Sequence, residues 1–191
     1  MKRKLFWMSL LLLTIAGLSS CSSNDDDEVA AGIDDVCGGV VYNGYAIRQF
    51  DKANPLSVFF AEELHEPTGD SEGNIHKSFF ERGEWNDERV LVINSQEEFQ
   101  TAYMGTKVLP DVDFGQYTLV IGKTWGSGSS QVLRSVILRD LGYAYELETQ
   151  LVDHIDYVST CAIETIFYWH LYPKLPKKPI MLKRTVTDVH D

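Results

Sequence analysis

Apolar and polar residues follow two different periods along this chain, and these periods predict strands and short helices. Residues 109–139 form the organising stretch, in which two apolar strands are joined by a turn rich in glycine and serine. Residues 117–124 are apolar without alternation, which is typical of a buried strand. Residues 131–139 follow as the second strand, and later segments are expected to pair with these two.

Further strands are predicted wherever apolar and polar residues alternate in short runs. These strands cover residues 40–48, 89–94, 143–152, 161–171 and 180–186. A helix is predicted after Ser95, because Ser95 and Glu98 match a capping box, and Gly105 is predicted to end it. Asn54 followed by Pro55 predicts a second short helix.

This pattern places the chain in the α+β class. The expected architecture is an antiparallel β-sheet, a meander of about five to seven strands, packed with one or two short helices. Residues 67–87 are polar and predict a long acidic loop, and long loops in compact domains are often functional.

The first residues show a different pattern, with a short cationic start, an apolar run and then small residues. The run covers residues 5–18, which is shorter than the roughly 20 residues needed to cross a bilayer. The tripeptide Leu-Ser-Ser before Cys21 resembles the lipobox of bacterial lipoproteins. Residues 1–20 are therefore predicted to be a lipoprotein signal peptide and Cys21 the lipidated residue, with an ordinary secretory signal as the alternative.

An acidic block follows Cys21, with three aspartates and a glutamate at residues 25–28. Such a run of like charges cannot bury apolar surface, so residues 21–36 are predicted to form a flexible tether. The block also resembles the export signals of Bacteroidetes-type surface lipoproteins. That resemblance implies a lipid anchor in the outer membrane and exposure at the cell surface.

Removal of the leader leaves about 171 residues, enough for one domain with a substantial core, and residues 37–191 are predicted to form it. The leader holds three of the 17 basic residues and none of the 28 acidic ones. The remaining chain therefore has 14 basic and 28 acidic residues and a formal charge of −14. Phosphate backbones repel such a surface, which argues against nucleic acid as a partner.

Two cysteines remain if Cys21 carries lipid. Exported domains commonly join such a pair, so a disulfide between Cys37 and Cys161 is predicted, with two buried free thiols as the alternative. No two cysteines have the CxxC spacing, which excludes a zinc ribbon and a thioredoxin-type site.

Residue patterns for catalysis and metal binding are incomplete. The serines of the glycine turn do not fit the Gly-x-Ser-x-Gly nucleophile elbow or a phosphate loop. Asp70, Glu72, Asn74 and Glu81 have the spacing of a calcium loop, but Ile75 stands where the sharp turn requires glycine. The histidines are dispersed. No catalytic residue, metal or cofactor is predicted, and a carboxylate pair for glycoside hydrolysis stays open because its spacing depends on the fold.

The order of motifs between residues 78 and 184 resembles the PrcB-type lipoprotein domain. That family has a Ser-x-Glu-Glu helix, an Asp-Phe-x-x-Tyr step into an apolar strand, and a glycine-rich turn. The matching residues are Ser95, Glu97, Glu98, Asp113, Phe114, Tyr117, Gly126 and Gly128. The resemblance implies an accessory or binding role, only weakly implies a protease partner, and carries over no catalytic residue.

The candidate binding site lies at the glycine turn. Its residues are Trp125, Gly126, Ser127, Gly128 and Ser129, with Tyr172 as a second stacking residue. We expect a non-catalytic surface lipoprotein that binds or stabilises another envelope protein through this turn and the acidic loop. The alternative is a glycan-binding lipoprotein in which Trp125 and Tyr172 stack against sugar rings, and a hydrolase is the third hypothesis.

Overall fold

The computed structural model describes residues 30–42, 45–48, 50–81, 83–84, 86–156 and 162–190, without the side chains of residues 45–48 and 129. The signal peptide, Cys21, the acidic block and Cys161 lie outside these ranges, so the predictions for them stay predictions.

The described elements are mostly strands. The strands are β1 (Gly32–Ile33), β2 (Cys37–Tyr42), β3 (Tyr45–Arg48), β4 (Thr68–Gly69), β5 (Ile75–His76), β6 (Arg89–Ile93), β7 (Tyr117–Ser127), β8 (Gln131–Asp140), β9 (Tyr145–His154), β10 (Ile163–Pro173) and β11 (Ile180–Val189). The helices are α1 (Pro55–Glu63) and α2 (Gln96–Ala102), and a single 3-10 turn covers Gly128–Ser130.

These elements are arranged in three layers. The central layer is a five-stranded sheet with the order β3-β2-β10-β7-β6. The second sheet, with the order β1-β8-β9-β11, packs on one face of it, and α1 and α2 cover the opposite face. Strands β4 and β5 form a separate small hairpin. The described strand pairs are antiparallel except β9 with β11, which is parallel.

The α+β class and the antiparallel pairing are confirmed, but the single meander is wrong. The strands are more numerous than predicted, and the larger of them form two stacked sheets. Strand β10 enters the central sheet between β2 and β7, so it does not continue the row that β8 and β9 begin. Strand β11 runs in the same direction as β9 because β10, in the other sheet, reverses the chain between them.

The glycine turn is a corner between the sheets, although the sequence predicts a hairpin there. Strand β7 pairs with β6 and β10, whereas β8 pairs with β1 and β9. The 3-10 turn therefore carries the chain from the central sheet to the second sheet. Gly128 has a φ of 67° in this turn, a backbone conformation that favours glycine.

Local capping signals predict the start of both helices correctly. Asn54 accepts a hydrogen bond from the Leu56 backbone N–H at 2.9 Å, and Pro55 occupies the first turn of α1. Ser95 accepts a hydrogen bond from the Glu98 backbone N–H at 3.1 Å at the start of α2. Each helix thus begins where its side-chain cap replaces a missing backbone partner.

Two apolar cores lie on the two faces of the central sheet. Strand β10 contributes to both, because successive side chains of a strand point to opposite faces. Phe167, Trp169 and Leu171 pack under the helices, whereas Tyr168 and Tyr172 pack against the second sheet. Trp169 is 1% exposed, as expected for a residue that alternates in sequence with the apolar Phe167 and Leu171.

Glycines on the neighbouring strands leave room for large rings of β10. Gly39 lies opposite Trp169, and a Cβ there would lie 2.7 Å from the indole nitrogen. Gly122 lies opposite Tyr168, and a Cβ there would overlap the phenol ring. The rings therefore lie over glycine backbone, a packing that a larger residue at either position would disrupt.

Candidate binding surface

The Trp125 turn, which the sequence predicts as the binding site, is held by a contact from the second sheet. Trp125 is half-buried near the end of β7, and the Arg184 guanidinium lies 4.0 Å from the centroid of its ring. Arg184 Nη2 also donates a hydrogen bond to the Trp125 carbonyl oxygen at 3.2 Å. Because a guanidinium covers the half-buried indole, the ring joins the two sheets instead of forming an open stacking platform.

Other residues of the turn are mostly enclosed. Gly126 and Gly128 are buried, and Ser127 is exposed. The Ser127 backbone N–H donates a hydrogen bond to Gln131 Oε1 at 2.9 Å. The side chain of Ser129 lies outside the described part of the chain. Among the described side chains of the turn, Ser127 alone is exposed, so the described part of this corner offers little surface to a ligand.

Tyr172 is a core residue with an exposure of 1%. Burial raises the pKa of its hydroxyl. The interpretation of Tyr172 as an exposed stacking residue is therefore wrong. Alternation could have indicated this, since Tyr172 shares its strand face with the buried Tyr168.

The predicted disulfide can be examined at one of its two ends. Cys37 is a half-buried free thiol opposite Leu171, and burial raises the pKa of this thiol. Cys161 lies outside the described residues, so the disulfide between Cys37 and Cys161 stays a prediction.

The hydrolase hypothesis can be tested at the hydrogen bond between the buried His170 and Asp35. His170 Nδ1 lies 2.8 Å from Asp35 Oδ2, and this hydrogen bond lowers the pKa of Asp35. His170 faces the second sheet, whereas Cys37 packs on the helix side of the central sheet. Because the sheet separates them, Cys37 and His170 do not form a nucleophile and base pair. The Asp35 contact instead fixes the connection between β1 and β2 to β10.

The acidic loop is structured where it meets the core and the small hairpin. Phe79 and Phe80 are buried under the helices. Asp70 closes the hairpin of β4 and β5 by accepting hydrogen bonds from the Glu72 and Asn74 backbone N–H groups at 2.9 and 2.8 Å. Hydrogen bonds from the Asn74 side chain and backbone lower the pKa of Asp70 to about 2. Turn formation therefore explains the calcium-like spacing of this segment.

A surface that the sequence did not single out lies on the helix side of the molecule. Residues 103–111, which we term the latched loop, follow α2 and lie beside α1. Val108 in this loop is 92% exposed, whereas the adjacent Leu109 packs against the core. Open depressions flank Val108 on two sides. One is lined by Pro55, Val58 and Glu62 of α1, and the other by Gln96, Gln100 and Asp111.

Hydrogen bonds and ion pairs fasten this loop to α1. The Tyr103 hydroxyl donates a hydrogen bond to Glu63 Oε2 at 2.6 Å and accepts one from the Lys107 backbone N–H at 3.1 Å. Lys107 Nζ lies 2.7 Å from a carboxylate oxygen of Glu62 and 2.9 Å from one of Glu63. The loop that presents Val108 is therefore held in place by its own side chains.

The protonation states of Glu63, Tyr103 and Lys107 favour the hydrogen bonds that hold the latched loop on α1. Burial opposes ionisation of Glu63, but hydrogen bonds from Tyr103 and Lys107 outweigh it and lower the pKa of Glu63. Burial and the bond to Glu63 raise the pKa of Tyr103 to about 12. Hydrogen bonds to Glu62 and Glu63 raise the pKa of Lys107. At neutral pH the carboxylate is thus an acceptor, and the phenol and ammonium groups are donors.

Gly105 allows the loop to fold over the Tyr103 ring. Helix α2 ends at Ala102 and Tyr103 caps it in an extended conformation, so the prediction that Gly105 ends the helix is wrong. A Cβ at Gly105 would overlap the Tyr103 hydroxyl. A glycine at this position is therefore required by close packing with the Tyr103 ring.

Comparison with known proteins assigns the chain to no class. It matches no protein-family model, no curated protein and no solved structure. The resemblance to the PrcB-type domain therefore stays a prediction. Within the described ranges, no group of three His, Cys, Asp or Glu side chains is placed to hold a metal ion. No helix among those residues is long and apolar enough to cross a membrane.

Replacing Glu63 with glutamine is expected to lower the free energy of unfolding at pH 7 by about 1–2 kcal/mol, because the buried site loses its charged acceptor. The lowered pKa of Glu63 means that its contribution is complete above its usual value of 4.5. The contribution is then lost as the pH falls through the lower value of the folded state. Urea denaturation at pH 7 and pH 3 should therefore show a difference from wild type that shrinks in acid.

Glu72→Gln is the control for this experiment, since Glu72 lies exposed at the tip of the small hairpin. It should leave stability unchanged at both pH values. A Glu63→Gln effect that is as large at pH 3 as at pH 7 would contradict the role of the ionised carboxylate.

Proposed function

We propose that this protein is a surface-anchored, non-catalytic lipoprotein that binds another cell-envelope protein through the latched loop. The leader pattern and Cys21 support the lipid anchor, and the acidic block supports a place on the outer face of the outer membrane. The observation that carries the binding role is the exposure of Val108 on a loop that is already fixed.

A fixed apolar loop suits the recognition of a protein for physical reasons. A loop that is ordered before binding loses little conformational entropy on association. Val108 can enter an apolar contact while the charged groups of Glu62 and Lys107 remain at a polar rim. The depressions beside Val108 are open, unlike the enclosed sites that bury most of a small ligand.

The class of partner follows from the location and from the sequence resemblance. A lipid-anchored domain on the cell surface meets other envelope proteins, and the PrcB-type resemblance makes a protease complex one candidate. The glycan-binding alternative depends on Trp125 and Tyr172. Since Arg184 covers Trp125 and Tyr172 is buried, these two residues give that alternative no support.

Replacing Val108 with aspartate is expected to remove the envelope partner from material captured on intact cells. The partner is cross-linked at the cell surface to the tagged wild-type chain and identified by mass spectrometry. The aspartate variant should recover it at least tenfold less well, because a charge replaces the apolar contact. Tyr143→Asp is the matched control, since Tyr143 is 73% exposed in the turn between β8 and β9, on the far side of the central sheet.

Equal recovery of the partner by the Val108 and Tyr143 variants would contradict the latched loop as the binding surface. Protease treatment of intact cells tests the location separately. The protein should be degraded without cell lysis, and its survival would contradict exposure at the cell surface.

A further inference from the structure

The second sheet ends in a long strand with a free edge. Strand β11 has ten residues and pairs with β9 alone among the described strands. Its other edge presents backbone N–H and C=O groups along about 33 Å. Such an edge is a template to which a strand of another chain can add.

Apolar residues remain uncovered beside this edge. Leu182 and Val186 share the sheet face of Leu147 and Leu151, which packs on the central sheet, yet they are 39% and 38% exposed. Val92 on β6, the terminal strand of the central sheet, points into the same space between the layers and is 37% exposed. We term this open space between β11 and β6 the seam.

Arg184 spans the seam and fixes its width. It lies between Leu182 and Val186 in sequence, and its guanidinium contacts the Trp125 ring. Arg184 Nε also lies 3.7 Å from Glu88 Oε1, directly before β6. These contacts hold the two sheets at a set separation, so the apolar residues beside Arg184 stay exposed in the folded chain.

Charge sets this edge apart from the rest of the molecule. Residues 174–184 contain five basic residues and no acidic one, whereas the chain after the leader has a formal charge of −14. Lys183 lies on the outer face of β11, and its side chain is 48% exposed although Glu146 and Glu148 are nearby. Lys183 and Arg184 are the two of these basic residues that lie on β11, so an acidic segment is repelled less by this edge than by most of the remaining surface.

We propose that the seam binds one extended, acidic segment of another protein, which adds as a strand to β11. Its backbone pairs with the free edge, and its alternate apolar side chains cover Leu182, Val186 and Val92. The acidic side chains between them face Lys183. The seam lies between the two sheets and the latched loop lies beside the helices, so this site is independent of the proposed function.

Selection from a random displayed library of twelve-residue peptides tests this site. The full mature chain is immobilised through its N-terminus. Enriched peptides should alternate apolar and acidic residues. Leu182→Glu should reduce their binding at least tenfold, and Lys183→Glu should shift the selected charges from acidic to basic. Val108→Asp, a change in the latched loop, should select the same peptides as the wild type.

Several results would overturn the seam as a peptide site. One is a selection that enriches no peptide, or peptides without alternation. Another is equal binding of the selected peptides to the Leu182→Glu variant, whose folding is verified by circular dichroism. Light scattering measures the oligomeric state as the last test. A wild-type dimer that becomes a monomer in the Leu182→Glu variant would mean that a second copy of this chain occupies the edge.

Discussion

Replacing Gly122 with alanine is expected to lower the free energy of unfolding by about 3 kcal/mol. Gly122 lies within β7 opposite Tyr168, whose buried ring covers the glycine backbone. An added methyl group would overlap that ring, and a close-packed core relieves such overlap only by moving side chains from their preferred rotamers. Urea denaturation followed by tryptophan fluorescence measures the loss.

Gly69→Ala is the matched control for this substitution. Gly69 is exposed in β4, and the nearest atom would lie 3.9 Å from its added Cβ, so the effect should stay within about 0.5 kcal/mol. The double variant Gly122→Ala with Tyr168→Leu should lose less than the sum of the single losses, because the smaller side chain removes the overlap. Strictly additive losses would mean that Tyr168 does not occupy the space over Gly122.

Trp169→Ala is expected to have a still larger effect, a loss of about 4 kcal/mol. Trp169 is fully buried in β10, and its ring stacks on Phe60 of α1 with 4.9 Å between the centroids. Its removal leaves a cavity between the central sheet and the helices that the neighbouring side chains fill only in part. In a domain of this size such a loss lowers the melting temperature by about 8–16 °C, which calorimetry can measure.

Trp169→Phe provides the comparison, since it keeps an aromatic ring against Phe60 and leaves a smaller cavity. It should lose less than half as much stability as Trp169→Ala. A melting temperature of Trp169→Ala that equals the wild-type value would contradict the placement of this ring in the helix-side core.

The helices and most strands could be predicted because their signals act over a few residues. Asn54 and Ser95 cap backbone groups only two or three positions away, so the information is present in a short window. Alternation likewise assigns Trp169 to the core from its immediate neighbours. The predicted end of α2 is wrong because Gly105 packs closely against Tyr103 and does not cap the helix. The sequence alone does not distinguish these two roles of a glycine.

The division into two sheets could not be predicted in the same way. Strands β9 and β10 have similar alternation, yet β10 joins the central sheet and β9 joins the second one. A glycine-rich turn suits a hairpin and a corner equally well. The pairing of β7 with β6 and β10 excludes the hairpin, and these partners are distant in the chain.

The binding site predicted from the sequence differs from the one that the structure supports for a related reason. The exposure of a side chain depends on the tertiary fold. Trp125 beside a glycine turn resembles a surface residue, but Arg184, 59 residues later, lies over it. Val108 beside Leu109 resembles a core residue. It is instead exposed on a loop that is held by the bond between Tyr103 and Glu63, which are 40 residues apart in sequence.

The pairing of β2 with β10 has a consequence for synthesis and export. Asp35 and His170 form a hydrogen bond across 135 residues of sequence, and the central sheet cannot be completed before β10 is available. Contacts between such distant segments slow folding. For a chain that is exported as its leader predicts, we therefore expect the central sheet to be completed only after β10 has crossed the membrane.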